Sequence, residues 1–234
     1  MVSYDEFELA PEMCEELKKL RVDFLFQPIF YPDGKRIFAY ESFMHPEEGT
    51  VKELIDRYNS AGKLHVLEIA TFFGSAKVYV ERGYKENVCI WSFPSEVFSN
   101  LENEVFDRHF GNYADKGIVK ILEYPEISIR NWERKSRTLK RKRMEVSLNN
   151  FGIGNNDFEA LGVFRPKIVK IGRDLVADIH KDSNRQVALL RCIQKFHDLG
   201  AQVIASGIES REEMDFLVPN GADYLQGYYL AKPE

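Results

Sequence analysis

The stretch Met144-Glu-Val-Ser-Leu-Asn-Asn-Phe-Gly-Ile-Gly154 contains the end of a strand and the turn that follows it. Apolar and polar residues alternate up to Leu148, which predicts a short β-strand. Two carboxamides, Asn149 and Asn150, come next, and then a Gly-Ile-Gly turn. Short polar side chains at the mouth of a strand suit a metal site or a ligand clamp, but an Asn side chain carries no charge.

Strands of this kind alternate with helices along most of the chain. Strands are predicted at 23–30, 35–41, 87–93, 117–123, 144–148, 167–171, 201–205 and 222–226. Helices are predicted at 11–20, 50–60, 64–82, 95–110, 127–143, 157–161, 184–199 and 211–218. This alternation, without a Gly-rich dinucleotide turn, favours an α/β fold of the (β/α)8 type, a TIM-like barrel, over a doubly wound sheet. We assign residues 1–20 to an N-terminal helical segment and residues 21–234 to one barrel domain.

Charge and cysteine content narrow the class of protein. The 234 residues carry a net charge of -5 from 32 basic and 37 acidic side chains, so the molecule as a whole is not expected to bind nucleic acid. Cys14, Cys89 and Cys192 form no CxxC pair, which favours a reducing compartment over a disulfide framework or a zinc site. No apolar run is long enough for a membrane segment, and the acidic start does not resemble a signal peptide. These features predict a cytoplasmic protein.

The carboxyl ends of the strands are where a barrel of parallel strands carries its site. Read in chain order, those ends give a polar rim: Glu41, Trp91 or Ser92, Glu123, Asn149 and Asn150, Lys170, Ser206 and Gln226. A rim this polar exceeds what solvation of the strand ends requires. It indicates a functional site, or one that has lost its function.

Several ordered motifs connect this rim to a known family. They include Phe26-Gln-Pro-Ile29, Glu41-Ser-Phe43, Asn149-Asn-Phe-Gly152, Gln226-Gly-Tyr-Tyr229 and Lys232-Pro233. In order and spacing they resemble the EAL domain, a bacterial family whose active members hydrolyse the second messenger cyclic di-GMP, and the resemblance runs nearly end to end. It implies a barrel with one antiparallel strand, which agrees with the hairpin predicted at the start of the chain.

The early motifs of the family are kept in part. The Glu-Ala-Leu signature becomes Glu41-Ser-Phe43, which keeps the acid, and the arginine that follows it in the family is replaced by His45. The Asn at the end of the family's next strand falls near Trp91, and no Asn is present there. The Glu-Ile-Thr-Glu motif survives as Glu123-Tyr-Pro-Glu126.

The later motifs lose their acids. The family's Asp-Asp-Phe-Gly reads Asn149-Asn-Phe-Gly152 here, and its Lys-Ile-Asp reads Lys170-Ile-Gly172. Its Glu-Gly-Val-Glu reads Ser206-Gly-Ile-Glu209, while the glutamine of the last strand is kept as Gln226. The order and spacing of the family's motifs are therefore kept better than their acidic side chains.

These losses bear on the chemistry that the resemblance implies, in which two divalent cations held by carboxylates position a water and the phosphodiester. Asn offers a neutral carbonyl oxygen and cannot supply the charge that offsets the desolvation of Mg²⁺ or Mn²⁺. We expect no hydrolysis and no metal cofactor, with Glu41 and Glu123 as the residual metal-ligand candidates. The vestigial catalytic site comprises Glu41, Glu123, Asn149, Asn150, Lys170, Ser206 and Glu209.

Binding without hydrolysis is a separate expectation. The residues predicted to contact cyclic di-GMP are Gln27, Glu41, Phe151, Gly152, Lys170, Gln226 and Gly227. Fewer carboxylates at the rim lower the repulsion of phosphates, whereas the missing arginine and metals remove phosphate anchors. The expected function is a cyclic di-GMP receptor, scaffold or regulatory module. Two alternatives stay open: a phosphodiesterase with displaced Mg²⁺ or Mn²⁺ ligands that forms linear pGpG, and an interaction module that binds no nucleotide.

The stretch Arg130 to Arg143 contains eight basic residues in fourteen. A charge run of this kind is typical of a solvated outer helix, and its functional interpretation is a surface that docks an acidic partner or nucleic acid. We expect a protein partner. Loop 152–157 and its neighbouring helix resemble the family's dimer region, which is consistent with a homodimer.

Overall fold

Eight strands close into a barrel in the order in which they occur along the chain. The structure, a computed structural model, describes residues 1–122, 128–154 and 156–234. The strands are β1 (Val22–Phe30), β2 (Ile37–Pro46), β3 (Asn87–Ser92), β4 (Gly117–Ile121), β5 (Glu145–Leu148), β6 (Ile168–Ile171), β7 (Gln202–Ala205) and β8 (Tyr224–Leu225). β1 pairs antiparallel with β8, whereas β5, β6, β7 and β8 pair in parallel. The predicted TIM-like α/β barrel with an antiparallel strand is confirmed.

Helices occupy most of the connections between strands. They are α1 (Pro11–Lys19), α2 (Val51–Ser60), α3 (Leu64–Glu81), α4 (Asn100–Phe110), α5 (Ile129–Arg141), α6 (Phe158–Phe164), α7 (Arg173–Val176), α8 (Ser183–Asp198) and α9 (Arg211–Leu217), with 3-10 helices at Gly111–Lys116 and Ile179–Lys181. Sequence periodicity missed α7 and the two 3-10 helices because elements this short contain too few turns to show a period. Across the described residues, no helix combines the length and apolarity needed to cross a bilayer.

Capping side chains set where several helices begin. Thr50 and Ser99 each accept a hydrogen bond from the backbone N–H three residues on, and the Glu at that position closes a capping box. The helix predicted to begin at Ser95 was placed too early. It begins at Asn100, because Ser99 has extended backbone dihedrals and acts as the N-cap.

The described residues group into two compact units, each with its own core. The first comprises Met1–Phe26, Ser42–Val119 and the described part of 124–145. Its centre is α3, which is buried on nearly every side. Phe73 of this helix packs edge to face on Phe7 and on Phe106, with ring centroids 4.9 and 5.5 Å apart. Burial on nearly every side explains why α3 is mostly apolar and shows no amphipathic pattern.

The second unit comprises Gln27–Glu41, residues 120–122 and Val146–Glu234. All four side chains of β6 are buried, as are three of the four in β7, as expected for parallel strands covered on both faces. A second aromatic cluster joins Phe151 to Phe158 and Phe196, with centroids 4.9 and 4.7 Å from the Phe151 ring. The second unit contains every described residue predicted for the site except Trp91 and Ser92.

Candidate functional site

The carboxylate of Glu41 is the centre of the candidate site. Glu41 lies in β2 and is 0% exposed. One of its oxygens accepts hydrogen bonds from Lys170 Nζ at 2.5 Å and from Gln226 Nε2 at 2.6 Å. The other oxygen is paired with the ammonium group of Lys120. Lys120 lies in β4, Lys170 lies in β6 and Gln226 directly follows β8, so strands far apart in sequence supply the partners.

The charges around Glu41 determine its ionisation. Burial raises the pKa of this carboxyl, but the positive charges of Lys120 and Lys170 outweigh that effect and lower the pKa to about 2. Glu41 is therefore ionised at every physiological pH and is neutralised by cations of the protein itself. These residues place two ammonium groups around one carboxylate, and we call them the lysine–glutamate triad (Lys120, Glu41, Lys170).

Sequence reasoning missed Lys120. Its partner in the triad is 79 residues away in sequence, so no local motif connects the two. A usable signal exists in the strand itself, because all five residues of β4 are buried and only one of them is charged. A charge in a strand that is buried on both faces requires a partner of opposite charge.

The loop after β5 contains the two predicted amides. The backbone N–H of Asn149 donates to the carbonyl of Ile121 at 3.2 Å, and the side chain of the fully buried Asn156 donates to the carbonyl of Asn149. Asn150 has a φ of 44°, in the left-handed region that Asn tolerates better than most residues. Its Oδ1 would lie 3.3 Å from a Cβ built on Gly172. Two positions at which the resemblance implies acids are thus neighbours, and neither is charged.

Phe151 and Gly152 have different surroundings. The Phe151 ring is 7% exposed and packs in the aromatic cluster, while its backbone N–H donates to the carbonyl of Lys170 at 2.9 Å. Gly152 is exposed, has a φ of 91°, and has open space around the position of a Cβ. Phe151 therefore fixes the loop beside β6, and Gly152 offers accessible backbone.

Ser206 and Glu209 follow β7 and do not join the triad's hydrogen bonds. The Ser206 hydroxyl donates to the carbonyl of Ile171 at 2.9 Å. Glu209 forms an ion pair with Arg173 at 3.2 Å, and its side chain is 54% exposed. Both contacts organise the backbone beyond β6 and β7.

Gln27 and Gly227 have structural roles. The Gln27 amide donates to the carbonyl of Ala231 at 2.8 Å, which holds the C-terminal segment against β1. A Cβ on Gly227 would overlap the backbone of Ile208, so only glycine fits there. The predicted role of both residues in nucleotide binding stays a prediction.

The remaining predicted rim positions fall elsewhere. Glu123 lies outside the described residues. In the first unit, the Trp91 indole N–H donates to the carbonyl of Ser42 at 3.1 Å, and the Ser92 hydroxyl donates to Glu68 at 2.9 Å. Both side chains are buried, so these contacts serve the interior of that unit.

Comparison with known proteins identifies the family. The family model of the EAL domain matches residues 12–233. The chain belongs to the EAL domain family. This EAL domain is 27% identical over 230 residues to the blue light- and temperature-regulated antirepressor BluF of Escherichia coli K12, which covers 94% of the chain and 56% of BluF. Over 98 residues it is 32% identical to the probable cyclic di-GMP phosphodiesterase PdeD of the same organism, which covers 42% of the chain and 18% of PdeD.

The fold of the EAL domain also matches solved structures. The structure of a standalone versatile EAL protein from Vibrio cholerae O395 in its c-di-GMP-bound form aligns with a TM-score of 0.80 at 24% identity, over 92% of each chain. This likeness supports the barrel. The chain spans less than two thirds of the length of the two curated relatives above.

Among the described residues, the donors around Glu41 include too few carboxylates for a pair of divalent cations. In residues 1–122, 128–154 and 156–234 there is no group of three or more His, Cys, Asp or Glu side chains that could hold a metal ion. The two amides of Asn149 and Asn150 are neutral, Gly172 has no side chain, and Glu41 is bound on both oxygens. Hard cations of this kind require several anionic or carbonyl oxygens.

Proposed function

We propose that this EAL domain acts by binding in cyclic di-GMP signalling and does not hydrolyse the nucleotide. The observation that carries the proposal is the pairing of Glu41 with Lys120 and Lys170 at the buried centre of the site. This pairing is made by side chains that the chain contains, so it is evidence separate from the acidic residues that the motifs have lost.

Charge explains why this pairing opposes metal-assisted hydrolysis. A divalent cation at Glu41 would have to displace at least one ammonium group from a carboxylate that is 0% exposed. It would also come close to two buried ammonium groups, and the repulsion between these like charges is weakly screened. Metal-assisted phosphodiester chemistry requires two such cations beside the substrate. Lys120 thus pairs with a carboxylate oxygen of Glu41 that a metal site would need as a ligand.

The same two ammonium groups favour a phosphate ligand. The lysine–glutamate triad and the accessible backbone of Gly152 belong to the same compact unit. A phosphodiester carries one negative charge and accepts charge-assisted hydrogen bonds from ammonium groups. A related EAL protein has been solved in a c-di-GMP-bound form. Together these observations support a receptor that binds cyclic di-GMP without metal.

Calorimetric titration of cyclic di-GMP, in EDTA and in excess Mn²⁺, tests this function, with chromatography of the same samples for linear product. We expect one binding event of equal affinity in both buffers and no product. Lys120→Met should weaken binding at least tenfold, whereas the exposed Lys167→Met should not change it. Product formation above the buffer blank, or binding that requires Mn²⁺, contradicts the proposal.

A second candidate function is an interaction module that binds no nucleotide. It is favoured by a relative that matches 94% of this chain and is described as an antirepressor rather than as an enzyme. Absence of calorimetric heat and of any thermal shift with cyclic di-GMP, in both buffers, would select this second candidate over the receptor.

A further inference from the structure

Arginines form a stripe along one face of α5, which spans Ile129–Arg141. The stripe has four members at positions i, i+4, i+7 and i+11: Arg130, Arg134, Arg137 and Arg141. At 100° per residue these positions fall within an arc of about 60°, and they extend over about 16 Å of helix. The buried side chains of α5 lie on the opposite face: Trp132, Lys135 and Leu139. We call the four residues the arginine stripe.

The arginine stripe has no partners in the part of the chain that the structure describes. Its four side chains are exposed and take part in none of the ion pairs or hydrogen bonds found there. Two other cations of this region are paired, Lys135 with Glu68 and Lys142 with Asp107. Like charges three and four residues apart repel one another and destabilise a helix. Repulsion within the stripe therefore opposes the stability of the helix, and a ligand outside the chain that offsets it is the better explanation.

A groove accompanies the stripe. It has a volume of about 570 Å³ and is bounded on one side by Arg134, Arg137 and Arg141. Residues of α4 form the other side, and they include Asn100 and the carboxylates Glu104 and Asp107. These two carboxylates, of which Asp107 is also paired with Lys142, oppose a ligand that is negatively charged on all sides, such as a nucleic acid backbone. They are compatible with a helix that turns its carboxylates toward the arginines and an uncharged face toward α4.

We propose that the arginine stripe docks a short acidic helix of a partner protein. Carboxylates at three- and four-residue spacing on that helix would match the spacing of the arginines, and guanidinium groups bind carboxylates through paired hydrogen bonds. The net charge of -5 opposes long-range attraction to nucleic acid or to an anionic membrane, whereas a small peptide is attracted mainly by the local stripe. The stripe belongs to the first unit and the lysine–glutamate triad to the second, so this proposal does not depend on the proposed function.

Fluorescence anisotropy of the full chain with a labelled alanine-based helical peptide tests the proposal. The peptide has about 15 residues, enough to form a helix when bound, with Glu at i, i+4, i+7 and i+11. A second peptide with Gln at those positions and a short DNA duplex serve as competitors. We expect the Glu peptide to bind with an affinity that falls as salt rises. The Gln peptide and the duplex should compete at least tenfold less well.

Variants of the chain locate the binding surface. Arg134→Glu with Arg137→Glu should weaken peptide binding at least tenfold, and the neutral pair Arg134→Gln with Arg137→Gln should weaken it several-fold. The control pair Lys116→Glu with Arg191→Glu makes the same change in net charge at exposed positions elsewhere. Circular dichroism checks that each variant is folded. The proposal is overturned by equal losses in the stripe and control variants, by no binding of the Glu peptide, or by tighter binding of the DNA.

Discussion

Replacing Lys120 by methionine is the sharpest perturbation of the lysine–glutamate triad. Methionine has nearly the length of lysine and no charge, so the substitution removes one cation with little change in volume. Lys120 is 4% exposed and Glu41 is 0% exposed, so the loss cannot be compensated by bulk water. The variant leaves Glu41 with Lys170 and Gln226 as its partners.

The size of the effect follows from the pKa of Glu41. The folded pKa is about 2 against an ordinary value of 4.5. At about 1.4 kcal/mol per pKa unit, ionised Glu41 contributes about 3 kcal/mol to the free energy of unfolding at neutral pH. Because the folded pKa is the lower one, this contribution is present above pH 4.5 and is lost as the pH falls toward 2. Without Lys120, burial moves the pKa back up, so most of that contribution disappears.

Urea denaturation followed by circular dichroism measures this at two pH values. Lys120→Met should lower the free energy of unfolding by about 3 kcal/mol at pH 7 and by less than half as much at pH 3. The exposed control Lys167→Met should change it by less than about 0.5 kcal/mol at either pH. A cost below about 0.5 kcal/mol for Lys120→Met, or a cost that is the same at both pH values, would refute a buried pairing of these charges.

Three further substitutions test other parts of the structure. Glu68→Gln leaves the buried Lys135 without its anion, and burial already lowers the pKa of this lysine. In urea denaturation the substitution should lower the free energy of unfolding by about 3 to 5 kcal/mol. Adding Lys135→Met to the same chain should restore part of that stability. Burial lowers the pKa of His65, but two glutamates outweigh that effect and raise the pKa to about 9. Protonated His65 therefore contributes about 2 kcal/mol to the free energy of unfolding below pH 6.5, and this contribution is lost as the pH rises through 9. Unfolding curves of His65→Phe should lack this pH dependence. Gly227→Ala should cost at least about 2 kcal/mol because its Cβ overlaps Ile208, whereas Gly111→Ala, in open space, should change stability by less than about 0.5 kcal/mol; equal costs would contradict the geometry.

Much of the fold could be predicted from sequence because its signals are local. Strand and helix periods alternate, and the N-cap at Thr50 with its Glu three residues on matches the structure. Boundaries were predicted less well where two signals compete. The start of α4 depends on the capping geometry of Ser99, and β8 is only two residues long although its sequence suggests five.

The site was predictable only in part because its decisive contacts are not local. Motifs identified Glu41, Lys170 and Gln226, which the structure brings together. They could not identify Lys120, because which side chain pairs with a distant carboxylate is determined by how the strands assemble. The burial of Lys135 was missed for the same reason, since it lies in a run of basic residues whose composition predicts a solvent-exposed helix. Its spacing from Trp132 and Leu139 places it on the buried face instead.

The central claim is that Glu41 is already neutralised by two lysines and cannot help to hold a pair of metal ions. Electron paramagnetic resonance of free Mn²⁺, titrated into the protein with cyclic di-GMP present, measures bound ions directly. We predict that the free-ion signal rises as it does in buffer with the same concentration of cyclic di-GMP, both in the native chain and in the variant Asn149→Asp with Asn150→Asp. Loss of signal equivalent to two tightly bound Mn²⁺ ions per native chain would contradict the claim.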